Sequence, residues 1–279
     1  MNMRDRVAEL EARRAKIREM GGVERIARQH ERGKLTARER MSALFDQGQW
    51  FEVGMHGRQM GAAGERGDTP ADGVICGFGK VDGRMVCAAA YDFTVKGGSI
   101  GQTGEEKVTR LRKMALTGRW PMVWLIDSAG ARIDPGSGHH PDELSTFAGS
   151  GHLFREQVIM SGVVPQIAAM VGPGAAGTAY IPGLADFVPM VKGVGTLALA
   201  GPPLVKAVTG QDIDEQSLGG SKVHCELSGV GDAEVADDAA CIAMVKQYLS
   251  YMPSSADGSP PRISCDDPID RRDESLLDL

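Results

Sequence analysis

Residues 163–177 read VVPQIAAMVGPGAAG. The apolar run Val163–Val171 reads as a buried strand, and a helix is predicted over Ala175–Leu184 directly after it. Between them Gly172, Gly174, Ala176 and Gly177 let the backbone approach a ligand closely. The free N–H groups at the start of the helix aim at the same place. Such a turn suits an anion, either a phosphate or an oxyanion forming during reaction. The same residues also read as a close strand-to-helix turn with no ligand. GPGAAG matches the dinucleotide string GxGxxG, but no Asp or Glu occurs from Phe187 to Gln211, where the ribose-binding carboxylate belongs. The P-loop pattern GxxxxGK[ST] is absent from the chain.

Working outward, MVWLI (122–126) is a second buried strand, and it too runs into a small-residue loop, DSAGARI (127–133). Continuously apolar strands separated by helices indicate an α/β sheet covered on both faces. Earlier, VICGFGKVDGRMVCAAAYDF forms two β-like runs joined by Asp82-Gly83, a hairpin dipeptide. A helix is expected from Thr103, with Glu106 completing a capping box, to Gly118. The short strands FVPMV and TLALA, a helix from Pro202 and a last helix over Asp237–Ser250 complete the body. At the front, a charged helix over 3–29 breaks at Gly21-Gly22, and Thr36 with Glu39 caps a helix to Phe45. The expected division is an N-terminal basic helical arm (1–46), a body (47–252) and a Pro/Ser-rich, charged linker or tail (253–279).

The chain has 279 residues and a net charge of −6, yet residues 1–46 hold twelve Lys or Arg against eight Asp or Glu. An acidic body with a basic arm does not resemble a nucleic-acid binder, whose basicity marks a whole face. It suits a compact, multiply phosphorylated ligand, and it equally suits a solvated helix face at Arg13, Arg14, Lys16 and Arg18. No run reaches the ~18 apolar residues of a membrane span. The start lacks the apolar core of a secretory signal, so the expectation is a cytoplasmic protein. Five scattered cysteines without a C-x-x-C pair signal neither a zinc site nor a disulfide framework, and no metal is expected.

GGSIG (97–101) matches the nucleophile-elbow string around Ser99, but its surroundings read as a long loop rather than a strand-to-helix turn. The His139-His140 pair lies in a polar loop and reads as solvated or as a base. Nothing in the sequence supplies a base for Ser128.

The order of segments is more specific than any of these motifs. KLTARERMSALFD, PADGVICGFGKVDGRMVCAAAYDFTVKGGSIGQT, WLIDSAGARI, SGVVPQIAAMVGPGAAGTAYIPGLADFV and TGQDIDEQSLGG resemble, in sequence and order, the N-terminal half of biotin-dependent acyl-CoA carboxyltransferases, the propionyl-CoA carboxylase β chain and methylmalonyl-CoA transcarboxylase family. The resemblance runs from about residue 30 to 252 and implies a crotonase/ClpP-like spiral of ββα units that binds acyl-CoA as a single carboxyltransferase N-domain. It implies carboxyl transfer from carboxybiotin, carried on a separate protein, to the α-carbon of a coenzyme A thioester through an enolate. Partners so implied are a C-terminal-half carboxyltransferase subunit, a biotin carboxyl carrier and a biotin carboxylase, in a trimeric or hexameric homo-oligomer.

The family's oxyanion donors are backbone amides of a Gly-Gly pair in a GPCAGGA turn, which falls here on Ala176 and Gly177. The resemblance also places Gly97, Gly98, Ser99, Ala129 and Gly130 beside the CoA chain, and Arg38 and Arg40 opposite the CoA phosphates. Lys96 departs from the apolar residue expected there; buried, it would serve a substrate carboxylate or the enolate, and as a surface lysine it would do nothing. Residues 134–151 are longer than their counterpart, which suits a lid or a plain surface loop. Relatives continue into a second homologous domain, whereas this sequence stops at Leu279, so a separately encoded subunit or a truncated piece is expected. Two other readings stand beside the carboxyltransferase: a biotin-independent decarboxylase using Lys96 or His140 as proton source, and a non-catalytic scaffold.

Overall fold

The computed structural model describes residues 2–59, 68–132 and 152–279. His140 and the long segment after Arg132 lie outside the described residues. The chain opens with helices α1 (Met3–Arg18), α2 (Val23–Glu31) and α3 (Ala37–Leu44), broken at Gly21-Gly22 as expected. Thr36 caps α3 through the predicted box, its hydroxyl accepting from the Glu39 amide while Glu39 accepts from the Thr36 amide.

The sheet contains β1 (Trp50–Val53), the hairpin strands β2 (Val74–Val81) and β3 (Arg84–Tyr91), β4 (Met122–Ser128), β5 (Gln166–Ala175), β6 (Pro189–Val191), β7 (Thr196–Ala198) and β8 (Ala233–Val235). Its order is β1-β2-β3-β4-β5-β6-β8, with β7 also on β5. β1 and β2 pair antiparallel with their successors in space, and from β3 onward the pairings are parallel. The hairpin turns on Asp82 and Gly83, both at positive φ as a two-residue type I′ turn requires. Asp46 accepts from both turn amides, at 2.9 and 2.8 Å.

Helix α4 (Gln102–Gly118) covers one face of the sheet with α5 (His152–Met160), and α3 covers the other with α9 (Asp238–Tyr251). Between them come the short α6 (Tyr180–Gly183), α7 (Pro202–Thr209) and α8 (Glu215–Gly219). Alternation along β4 divides its side chains cleanly. Val123 and Leu125 join α3 and α9, whereas Met122, Trp124 and Ile126 join α4. This two-sided burial is why the strand is apolar at consecutive positions.

Several boundaries differ from the sequence reading. Helix α4 starts one residue early, at Gln102, with Gly101 rather than Thr103 as N-cap. Its first turn is satisfied from a distance, because Asp72 Oδ2 accepts from the Gly104 amide at 2.7 Å. Strand β5 starts at Gln166 and runs through Gly172, Pro173 and Gly174 to Ala175, so the predicted glycine-rich turn begins only at Ala176. Pairing decides this: Pro173, Gly174 and Ala175 stand opposite Thr196, Leu197 and Ala198 of β7. Strands β1 and β8 and helix α8 have no counterpart in the sequence reading. Residues 253–279 hold one short helical turn, Glu274–Asp278, and are mostly exposed.

The N-terminal helices are not a detached arm, since Met41, Leu44 and Phe45 belong to the core. A fully buried carboxylate anchors them. Asp127, at a register shift near the end of β4, accepts from Lys34 Nζ at 2.7 Å, Gln29 Nε2 at 2.6 Å and Arg40 Nη1 at 2.8 Å. Arg40 continues to Asp238 of α9 at 3.0 Å and to the Val171 carbonyl of β5 at 2.9 Å. Burial pushes the Lys34 ammonium below its ordinary pKa, with Asp127 opposing. Burial raises the Asp238 carboxyl, with Arg40 opposing. Arg40 therefore does not face a CoA phosphate: its guanidinium has no exposed surface and is spent on two carboxylates and a carbonyl. Arg40→Ala is expected to destabilise the fold by about 3–5 kcal/mol, because it leaves two buried carboxylates without their shared cation. A urea unfolding midpoint measures this; an unmoved midpoint with weaker CoA binding would return Arg40 to the ligand.

Candidate active site

Three loops leave the C-terminal ends of the neighbouring parallel strands β3, β4 and β5, the usual position for a ligand site in an open α/β sheet. Residues 92–100 follow β3, 129–132 follow β4, and the helical turn Ala176–Ala179 follows β5 and leads into α6. Asp92 shapes the first loop by accepting from the Thr94 amide and hydroxyl at 3.0 and 2.6 Å. Lys96, Gly97 and Gly98 then adopt three consecutive left-handed conformations.

The first two loops are laced by backbone. Ala129 donates to Gly97 O at 2.9 Å, Ile100 to Gly130 O at 2.8 Å and Arg132 to Ile100 O at 2.9 Å. Close approach is built in at Gly98, where a Cβ would sit 2.3 Å from the Asp127 carbonyl oxygen. The second and third loops meet at Gly130, whose φ is +94° and whose added Cβ would lie 2.6 Å from Ala175 O and 3.2 Å from the Ala176 methyl. Gly97, Gly98, Ser99, Ala129, Gly130, Ala176 and Gly177 are thus brought to one end of the sheet.

Gly172 and Gly174 are not. They lie within β5, where the missing side chains make room for protein rather than ligand: a Cβ at 172 would fall 2.0 Å from Asp127 Oδ1, and one at 174 would fall 2.6 Å from Met170. Lys96 is exposed, which disfavours the buried-ammonium reading. Arg38 makes a bidentate pair with Glu52 at 2.8 and 3.0 Å. Ser99 Oγ donates to the Lys96 carbonyl at 2.7 Å and accepts from Arg132 Nε at 3.2 Å, so it braces the loop rather than acting as a nucleophile.

Sequence reasoning missed Arg132 and Asp72. The largely buried guanidinium of Arg132 pairs with Asp72 and donates to Ser99 O at 2.9 Å, tying the first two loops to the segment before β2. It also missed Asp127, although an Asp closing a continuously apolar strand signals a carboxylate that must be paired inside.

The first amides of the turn at Ala176 have no carbonyl available earlier in the same helix. Ala176 itself sits at φ +49°. Among the described residues, four of the eight non-glycine residues at positive φ, Ala71, Asp72, Lys96 and Ala176, lie around these loops, a concentration typical of sites where geometry is fixed for function.

The Carboxyl transferase domain family matches residues 28–279. The chain belongs to that family. This carboxyl transferase domain is 36% identical over 279 residues to methylmalonyl-CoA decarboxylase subunit alpha of Veillonella parvula, covering 99% of this chain and 53% of that protein. It is 38% identical over 255 residues to the mitochondrial propionyl-CoA carboxylase beta chain of Homo sapiens, covering 90% and 46%. Among solved structures, transcarboxylase 12S with methylmalonyl-coenzyme A and methylmalonic acid bound superposes with a TM-score of 0.87 at 37% identity, over 94% of this chain and 50% of that one. The geranyl-CoA carboxylase beta subunit of P. aeruginosa gives a TM-score of 0.75 at 28% identity, over 88% and 44%. The fold is the crotonase-like carboxyltransferase fold expected from the segment order. The carboxyl transferase domain spans about half the length of the curated relatives it matches. No helix among the described residues is long and apolar enough to cross a membrane.

The two small-residue positions respond differently to substitution. Gly98→Ala collides with the Asp127 carbonyl at a left-handed φ and is expected to destabilise by more than about 2 kcal/mol. Ala176→Gly removes a left-handed alanine costing about 1–2 kcal/mol, offset by about 0.4–1 kcal/mol of chain entropy, so stability holds or rises slightly. Thermal unfolding of both variants checks the pair; a destabilised Ala176→Gly would mean that the methyl is needed for packing.

Proposed function

We propose that this chain is the acyl-CoA-binding half of a biotin-dependent acyl-CoA carboxyltransferase. The observation that carries the reading is the convergence of the Ala176–Gly177 amides with the 96–100 and 129–130 loops at the ends of β3, β4 and β5. The thioester lies between the Gly130 and Ala176 backbones, with its carbonyl oxygen on the Ala176 and Gly177 N–H groups. Removing the α-proton moves charge onto that oxygen, and fixed backbone donors stabilise it without a titrating side chain. Gly97 and Gly98, both left-handed, set the 96–100 loop against the β4 exit and beside the acyl-pantetheine chain. The Asp127 network holds the β4 exit so that the amides are positioned before the substrate arrives.

Carboxybiotin, presented by a carrier protein, would supply both the carboxyl group, released as CO₂ to the enolate α-carbon, and, as the freed biotin nitrogen, the acceptor of the α-proton. Enolate stabilisation here needs only backbone amides, which fits the small-residue composition of the turn. A C-terminal-half subunit, a biotin carboxyl carrier and a biotin carboxylase are the partners of this reading, in a homo-oligomer. The relative named as a methylmalonyl-CoA decarboxylase subunit favours a second use of the same cleft, in which the enolate forms by loss of CO₂ rather than of a proton.

The test is carboxyl transfer from carboxybiotin to propionyl-CoA, with the chain reconstituted with its co-purifying subunits. Gly177→Pro deletes the Gly177 N–H and drives Ala176 out of its left-handed conformation, disturbing both proposed donors, and is expected to lower kcat by about 10²–10³-fold or more while the folded signal and propionyl-CoA binding persist. Full activity in that variant sinks the oxyanion assignment. CO₂ release from methylmalonyl-CoA by the chain without biotin or partner would select the decarboxylase reading instead.

A further inference from the structure

The basic residues of α1 are not used by the thioester cleft. Much of their charge is neutralised locally: Arg13 pairs with Glu9, Arg14 with Glu11 at 2.8 Å and Lys16 with Glu19 at 2.7 Å. Arg18, at the end of that helix, has no carboxylate within ion-pair distance among the described residues, and neither has Arg110 on α4. Both guanidiniums line one groove.

The groove is a cavity of about 920 Å³ between α1, α4 and the edge strand β1. Its floor is aromatic and apolar, with Trp50, Phe51, Phe78 and Met114. Phe51 is 64% exposed, and its ring meets Phe78 at 5.3 Å, which in turn meets Trp120 at 5.8 Å. Among the described residues Glu52 is the sole carboxylate in the lining, and Arg38 neutralises it; the Arg38 Nε is buried with no acceptor among them. Past His56 a second cavity, about 560 Å³, adds Arg13, Lys16 and Arg58 to the wall.

An exposed aromatic floor under a rim of guanidiniums selects a planar ring bearing phosphates. The rings offer a stacking surface, and arginine matches phosphate oxygens in bidentate geometry. A bare phosphate needs no aromatic floor, and an apolar peptide gains nothing from unpaired guanidiniums. We propose that this groove binds a nucleoside phosphate, with the base against Phe51 and Phe78, which share the α4 face of the sheet, and the phosphates on Arg18 and Arg110. At ~4.8 Å per strand β1 lies about 10 Å from β3 and about 19 Å from β5, so the groove is a different place on the sheet from the Ala176–Gly177 turn. The nucleotide is either the adenosine phosphate end of a coenzyme A thioester reaching across the sheet or a free nucleotide. The binding chemistry is the same, and it does not depend on the carboxyl-transfer reading.

Calorimetric titration of the full chain with ADP and with inorganic pyrophosphate tests the proposal. ADP is expected to bind about tenfold or more tighter than pyrophosphate, because stacking adds about 1–3 kcal/mol. Arg18→Gln with Arg110→Gln should weaken ADP about a hundredfold, roughly tenfold for each charged contact. Phe51→Ala should weaken it about tenfold while leaving pyrophosphate unchanged. All three side chains are exposed, and an unchanged thermal midpoint confirms that folding is intact. No ADP binding, equal affinity for ADP and pyrophosphate, or full affinity in the double arginine variant would each overturn the site. Displacement of ADP by propionyl-CoA identifies the thioester's own nucleotide, whereas simultaneous binding identifies a free one. Propionyl-pantetheine, which carries the thioester without the nucleotide, reports on the cleft alone, so loss of either site is seen separately.

Discussion

The Asp127 carboxylate is the fixed point on which the candidate site depends. It has no exposed surface, so its charge must be answered inside the protein, and the answer comes from Lys34, Arg40 and Gln29 on the N-terminal segment. A buried network of this kind adds little net stability compared with an apolar replacement, yet removing one member is costly. Its effect is therefore on geometry. Arg40 reaches the Val171 carbonyl and Asp238, which joins β4 to β5 and α9, while Gly172 is bare so that the carboxylate can lie against β5.

From this point the constraint spreads to the loops. Lys34 places its ammonium 4.7 Å from the centre of the Phe93 ring, and the α1–α2 turn holds Thr94 through the Gly21 amide and Arg25. The β3 exit is thus held from one side by the N-terminal helices and from the other by backbone bonds to residues 129–132. Arg132 and Asp72 close the ring, with Asp72 also accepting from the first turn of α4. Backbone donors can serve as an oxyanion site only if they are held before charge develops, and these contacts provide that rigidity.

The left-handed Ala176 belongs to the same logic. A glycine there would relax the turn at little steric cost, whereas alanine brings a methyl into contact distance of Gly130 and narrows the space between the β4 and β5 loops. Local strain at this position is sustained because β7 fixes β5 up to Ala175 and α6 fixes the chain beyond it.

The sequence by itself determined the central strands, the hairpin and the capping of α3, because period, turn dipeptides and caps are local signals. The segment order determined the family. Tertiary structure alone decided which residues face a ligand. Arg38 and Arg40 are two positions apart and alike in charge, but one is buried between two carboxylates while the other edges an open groove. Gly172, Gly174 and Ala176 read as one turn, but only the last leaves the strand, because β7 pairs with residues 173–175. Lys96 could be read as buried or exposed until the loop around it was formed. Burial and pairing are set by partners up to about 200 residues away, such as Asp238 for Arg40, and no local pattern carries that information.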